Sequence, residues 1–135
     1  MIIQTMQPGR EEQILRLYEA VGWTEYTRQP QRIRSAFDRS LCVLELSHED
    51  QLLGFVRAVG DGETILYVQD LIVDPDYQNQ GWGTLLLKTR CDRYPQVRQK
   101  ILLSDDVEKI HSFYKKLGWV PASDIHCEAW AKLLF

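Results

Sequence analysis

Leu71-Ile72-Val73-Asp74-Pro75-Asp76-Tyr77-Gln78-Asn79-Gln80-Gly81-Trp82-Gly83-Thr84-Leu85-Leu86-Leu87 is the stretch around which the rest of the chain is organised. Just before and within it, Thr64 to Val68 and Leu71 to Val73 are rich in β-branched and aliphatic residues, which suits a strand. Asp74-Pro75 ends that strand, because proline cannot donate to a ladder and biases the residue before it away from the α region. Gly81 and Gly83 then open an apolar segment in which Leu87, Cys91 and Tyr94 fall on one helical face, ending at Pro95. The order is strand, tight loop, glycine-rich helix start. Such a junction suits a pyrophosphate. The first amides of a helix lack partners inside it, they carry the positive end of the macrodipole, and glycine lets a phosphate approach the backbone. Glycines that merely permit tight packing are the other explanation. A dinucleotide fingerprint would need a third glycine, and no Gly-Lys-Ser/Thr phosphate loop occurs.

Further along, Ile101-Leu102-Leu103 is a short buried-strand candidate and Ser104-Asp105-Asp106 offers caps for a helix. Val107, Ile110, Phe113, Tyr114 and Leu117 keep a helical period until Gly118 stops it.

The spacing Gln78-x-x-Gly81-x-Gly83 resembles the acetyl-CoA signature of the GNAT superfamily of N-acetyltransferases, Arg/Gln-x-x-Gly-x-Gly/Ala, and Phe113-Tyr114-Lys115-Lys116-Leu117-Gly118-Trp119 resembles the family's FYxKxGF segment. The likeness is good from about residue 41 to 121 and loose elsewhere. It implies an α/β fold of α+β character, a central mixed sheet flanked by about four helices and splayed next to the strand ending at Val73, in a single domain over 1–135. It also implies transfer of acetyl from acetyl-CoA to a primary amine of a small molecule or peptide by direct attack in a ternary complex. A non-catalytic acyl-CoA sensor or scaffold on the same fold is the alternative.

The resemblance gives the cofactor contacts to Gln78, Asn79, Gln80, Gly81, Trp82, Gly83 and Thr84. A bulge at the end of the strand would aim the amides of Leu71, Ile72 and Val73 at the acetyl carbonyl and pantetheine. Tyr114 matches the tyrosine that protonates the departing CoA sulfur in many members. Its place on the apolar stripe also fits plain core. Attack needs a neutral amine, and a lysine-like amine of pKa ~10.4 is neutral about once in 10³ at pH 7, a deficit of roughly 4 kcal/mol that a base or pocket must offset. Tyr67 stands where lysine acetyltransferases of the superfamily hold a glutamate. Asp70 and Asp105 remain as base or amine-orienting groups, each also explicable as a strand-end acceptor or a helix cap, and a water chain to solvent is the remaining option. Val107 replaces an asparagine common in the family, and Ile110 a small residue.

Size and composition narrow the classes. A chain of 135 residues, 44% hydrophobic and 26% charged, is that of an ordinary soluble domain that buries a core without staples. No apolar run approaches a ~20-residue span and no charged-then-apolar leader opens the sequence, so a cytoplasmic protein away from membranes is expected. A net charge of −3 argues against nucleic acid as the main ligand. Cys42, Cys91 and Cys127 are odd in number and lie in apolar stretches, and they read as buried thiols; His48, His111 and His126 lack metal-ligand spacing, so no metal is expected. A homodimer is compatible with all of this.

Met1 to Met6 alternates weakly, as an opening strand would. From Glu11 to about Ala20, Ile14, Leu17, Tyr18 and Val21 mark a helix that Gly22 ends. Trp23 to Thr27 is aromatic and aperiodic, a loop whose Trp23 and Tyr26 either cover the core or line the acceptor pocket. Pro30 opens a shorter helix with Ile33, Ala36 and Phe37. Leu41 to Leu46 and Leu52 to Val59 form a hairpin about His48-Glu49-Asp50. A final strand is predicted from Ile125 to Phe135, with Trp130, Leu133, Leu134 and Phe135 facing the core.

Overall fold

The computed structural model of the chain describes residues 1–134. The chain forms two compact units, Met1–Leu103 and a second beginning at Ser104.

The first unit holds a five-stranded sheet in the order β1-β2-β3-β4-β5, made by Ile2–Thr5, Cys42–His48, Gln51–Gly60, Ile65–Val73 and Gln99–Leu102. Neighbours from β1 to β4 run antiparallel, and β5 runs parallel to β4. The sheet is therefore mixed, and the parallel step requires a crossover, which α4 (Trp82–Asp92) supplies.

Helices cover both faces. On one, α1 (Glu11–Ala20) and α3 (Pro30–Asp38) bring Ile14, Leu17, Tyr18 and Ile33 against Val43, Leu52, Phe55 and Ile72. On the other, α4 packs on β2, β3 and β4 and buries Leu86 and Leu87. Each leucine so buried contributes roughly 1.5–3 kcal/mol, a large share of the ~5–15 kcal/mol by which a domain is stable. Gly54 is required here: a Cβ on it would stand 2.6 Å from the Ile72 carbonyl oxygen, so β3 and β4 could not come together.

The register of β3 with β4 shifts between Arg57, opposite Asp70, and Ala58, opposite Val68. Gln69 is thus the extra residue of a bulge. Cross-strand partners share a face and strand neighbours alternate, so the bulge leaves Val68 on the α4 side and turns Asp70, with Arg57, to the α1 side. Further, β5 pairs only with Ile65 to Val68. Beyond that point no strand among the described residues lies on the open side of β4, and this is the expected splay.

Several expectations need correction. No strand forms between Ile125 and Leu134: a 3-10 turn at Ala122–Ile125 ends in a left-handed His126 (φ 62°), and irregular chain follows. Trp130 is 87% exposed and Leu134 99%, with Leu133 also exposed, so these side chains are not core; Phe135 lies outside the described residues. A strand is stable only with a ladder partner, which apolar composition cannot guarantee. Cys127 is exposed rather than buried, and Cys42 and Cys91 are half-buried free thiols. Thr24–Thr27 winds into a four-residue helix, α2, where a loop is expected. Helix α4 stops at Asp92, and Arg90 rather than Cys91 is fully buried on it.

In the second unit α5 (Glu108–Lys116) ends as predicted at Gly118, with φ 86°. Its N-cap is Val107, with no side-chain cap. Ser104, Asp105 and Asp106 stand too early in the chain to cap it, and Asp106 instead meets His111 at 2.9 Å.

Candidate active site

The loop after β4 is built by local hydrogen bonds. Asp74 accepts from the Asp76 amide at 3.0 Å, closing a 3-10 turn over Pro75–Tyr77, and its Oδ2 accepts from Arg16 at 2.9 Å. The Gln78 side-chain amide donates to the Val73 carbonyl at 2.9 Å, tying the loop to the strand end. Asn79 (φ 62°) and Gly81 (φ 88°) take left-handed conformations, Gly81 as the residue that precedes the helix. The first amide to bond inside α4 is that of Leu85, to the Gly81 carbonyl at 3.1 Å. Among the described residues none accepts a hydrogen bond from the amides of Asn79 through Thr84, and no acidic side chain lies in the first turn of α4. A Cβ on Gly81 would meet nothing within 4 Å, so the approach is open. Unpartnered donors at the positive end of a helix, uncovered and free of negative charge, are what a phosphate needs. The amides of Gln80, Gly81, Trp82, Gly83 and Thr84 thus form a row of donors that an anionic group fits.

The bulge assembles a second cluster on the α1 face. Asp70, 1% exposed, accepts on Oδ2 from the Tyr18 hydroxyl at 2.7 Å and from Arg57 Nε at 2.7 Å. Its Oδ1 is buried and has no hydrogen-bond partner among the described residues. Arg57 also donates from Nη1 to Ser40 Oγ at 3.3 Å and lies 5.3 Å over the Phe37 ring. Burial works against the Arg57 charge, but the Asp70 carboxylate outweighs it and holds the guanidinium protonated. Burial, reinforced by Asp70, pushes the Tyr18 phenol far up, so it keeps its proton.

Tyr26 stacks on Tyr18 at 4.8 Å, and its hydroxyl accepts from Gln69 Nε2 at 3.3 Å. Trp23 lies 6.3 Å from Tyr18 and 6.4 Å from Tyr26, at the rim. Burial raises the Tyr67 phenol as well, with Tyr26 and Asp70 adding to the shift. Tyr26 and Arg57 both line a cleft of about 480 Å³ that α3 walls.

The first unit therefore brings Asp70, Trp23 and Tyr26 together in one cluster and displays the amides of Asn79 to Thr84 on one loop. Tyr114 and Asp105 belong to the second unit. There the Tyr114 ring packs edge-on to Phe113 at 5.0 Å and 6.2 Å from Trp119, and burial raises its phenol. Asp105 is exposed ahead of α5.

Two members of the cluster, Tyr18 and Arg57, are absent from the sequence-based site. A signal for Arg57 exists: a charge inside Phe55-Val56-Arg57-Ala58-Val59, a strand apolar on both sides, must find a buried partner. Tyr18 carries no such mark, since a tyrosine on an amphipathic stripe reads as core.

Similarity to known proteins agrees with the two motifs. Residues 38–121 match the family description Acetyltransferase (GNAT) domain. The uncharacterized N-acetyltransferase ycf52 of Gracilaria tenuistipitata var. liui is 30% identical over 115 residues, covering 81% of this chain and 61% of that protein. Its counterpart in Pyropia yezoensis is 26% identical, with 80% and 63% covered. The chain thus spans about three fifths of the length of these curated relatives. A GNAT-family acetyltransferase of Streptococcus pneumoniae TIGR4 superposes with a TM-score of 0.87 at 32% identity, covering 98% of this chain and 97% of that one. An aminoglycoside 6'-N-acetyltransferase solved with coenzyme A shares the fold at 19% identity and a TM-score of 0.76, covering 87% and 84%. With both motifs inside the matched region, the chain belongs to the GNAT acetyltransferase family.

Proposed function

We propose that the chain is an N-acetyltransferase that moves the acetyl group of acetyl-CoA to a primary amine of a small molecule or peptide by direct attack in a ternary complex, in the cytoplasm. The observation that carries the proposal is the run of unbonded amides from Asn79 to Thr84, set on the family's cofactor signature. Acetyl-CoA supplies an acetyl thioester; the remaining chemistry belongs to this chain. The loop amides hold the pyrophosphate while Gln78 keeps the loop closed on Val73. Leu71, Ile72 and Val73 are paired with β3 but lie beyond the reach of β5, so those of their amides that do not face β3 are open to polarise the acetyl carbonyl. Asp70 Oδ1, buried and unpartnered, accepts an N–H of the incoming amine and fixes its direction. Asp105, exposed on the second unit, is the other carboxylate candidate. As the C–N bond forms and the C–S bond breaks, the nitrogen sheds a proton to Asp70 or through water to solvent, and Tyr114 gives its proton to the departing sulfur; its raised phenol stays protonated through the neutral range.

The test is CoA release from acetyl-CoA over a panel of polyamines, amino sugars, aminoglycosides, amino acids and peptide N-termini. Tight acetyl-CoA binding with no release on any amine favours the non-catalytic alternative. Once an acceptor is in hand, Tyr114→Phe should lower kcat by roughly 10² to 10³ with acetyl-CoA affinity unchanged. Because the folded phenol titrates above its ordinary value, the alkaline limb that depends on it should lie above pH ~10. Wild-type turnover in the variant removes Tyr114 from the mechanism.

A further inference from the structure

The cleft of about 480 Å³ beside the bulge is lined by Tyr26, Gln29, Arg32, Ser35, Arg39 and Arg57. Three arginines around one opening repel one another, and a protein tolerates this readily where an anion is to be received. Their partners differ. Arg57 is held by Asp70, whereas Arg32 and Arg39, exposed on α3 and at its end, form no ion pair among the described residues. The one carboxylate of the lining, Glu25, is taken up by Arg28 at 3.0 Å. Among the described residues Arg57 donates from Nε to Asp70 and from Nη1 to Ser40, out of an arginine's about five donors. The cleft opens next to the aromatic cluster, since Tyr26 belongs to both.

We propose that the acceptor amine carries an anionic group, a carboxylate or phosphate, which Arg32 and Arg39 bind in this cleft with Arg57 at its floor, while the amine reaches Asp70. The inference rests on the acetyl-transfer proposal and deepens it. Guanidinium groups bind both oxyanions bidentately, so the geometry selects the charge class and leaves the anion's identity to experiment. The same cleft disfavours polyamines and other polycationic acceptors, whose charges would meet unpaired arginines.

The test uses matched pairs: ω-amino acids against their carboxamides, O-phosphoethanolamine against ethanolamine, and amino-sugar phosphates against the free amino sugars. Each compound is assayed twice, as CoA release from acetyl-CoA and as calorimetric affinity for the CoA-saturated protein. At least one anionic member should bind about ten- to a hundredfold tighter than its neutral partner. Arg32→Gln and Arg39→Gln should each remove most of that preference while leaving acetyl-CoA affinity and melting temperature in place. The phosphate and carboxylate pairs tell the two anions apart. Equal binding of charged and neutral partners, failure of every anionic amine to bind, or an undiminished preference in both variants overturns the proposal. Anion-selective binding without CoA release leaves the subsite standing and removes the transferase proposal. Turnover of polyamines as good as that of anionic amines does the reverse.

Discussion

The loop from Asn79 to Thr84 and the cluster about Asp70 lie at two ends of one strand segment and are built on opposite principles. In the loop the working groups are backbone amides, exposed and left over from starting a helix, and they are positioned by neighbours a few residues away. In the cluster the working groups are buried side chains, and the hydrogen bonds that fix Asp70 reach 13 residues to Arg57 and 52 to Tyr18. The loop depends on side-chain identity mainly where its shape is set, at left-handed Gly81 and at the hydrogen bonds of Asp74 and Gln78. The cluster tolerates few, because each member satisfies another in a low-dielectric setting. On the reading proposed above, cofactor binding should therefore tolerate sequence change better than acceptor binding does.

The largest expected effect falls on the loop. Gly81→Asp and Gly83→Asp add a carboxylate where an anion must approach, and each should weaken acetyl-CoA binding beyond about a hundredfold by calorimetry with the fold intact. Gly81→Ala is the control: a Cβ there meets no atom within 4 Å, so the expected loss is only the roughly 1–2 kcal/mol of holding a non-glycine residue left-handed, paid in stability. Unchanged acetyl-CoA affinity in both aspartate variants would take the cofactor away from this loop.

On the cluster, Asp70→Asn leaves Arg57 buried without its counter-charge and should destabilise the protein by about 3–5 kcal/mol in urea unfolding. Replacing both partners, as in Asp70→Leu with Arg57→Leu, should recover most of that loss, because a buried ion pair adds little net stability over packed apolar groups. A double variant as unstable as the single one would show that the cluster is held by packing instead of charge.

The smallest effect distinguishes the two rim aromatics. Tyr26 lines the cleft and Trp23 does not, so Tyr26→Ala should raise the acceptor KM by roughly two- to tenfold and Trp23→Ala by less, both with acetyl-CoA affinity unchanged. Equal losses on acceptor and cofactor, with a fall in melting temperature, would place both rings in the core alone.

What the sequence determined by itself is whatever depends on near neighbours. The helix of Ile14, Leu17 and Tyr18, the strand ended by Asp74-Pro75, and the glycine-led start of α4 are set by local periodicity, proline and conformational freedom. These same features give the mixed sheet and the bare amides that open α4. Tertiary structure decided the rest. The pairing of Asp70 with Arg57 and Tyr18 depends on one extra residue, Gln69, which turns Asp70 to the other face, and no local preference marks where a bulge will fall. The exposed course of Ile125 to Leu134 follows the same logic. Trp130, Leu133 and Leu134 are apolar enough for a core strand, but a strand exists only when another edge accepts its hydrogen bonds, and that is a property of the assembled chain.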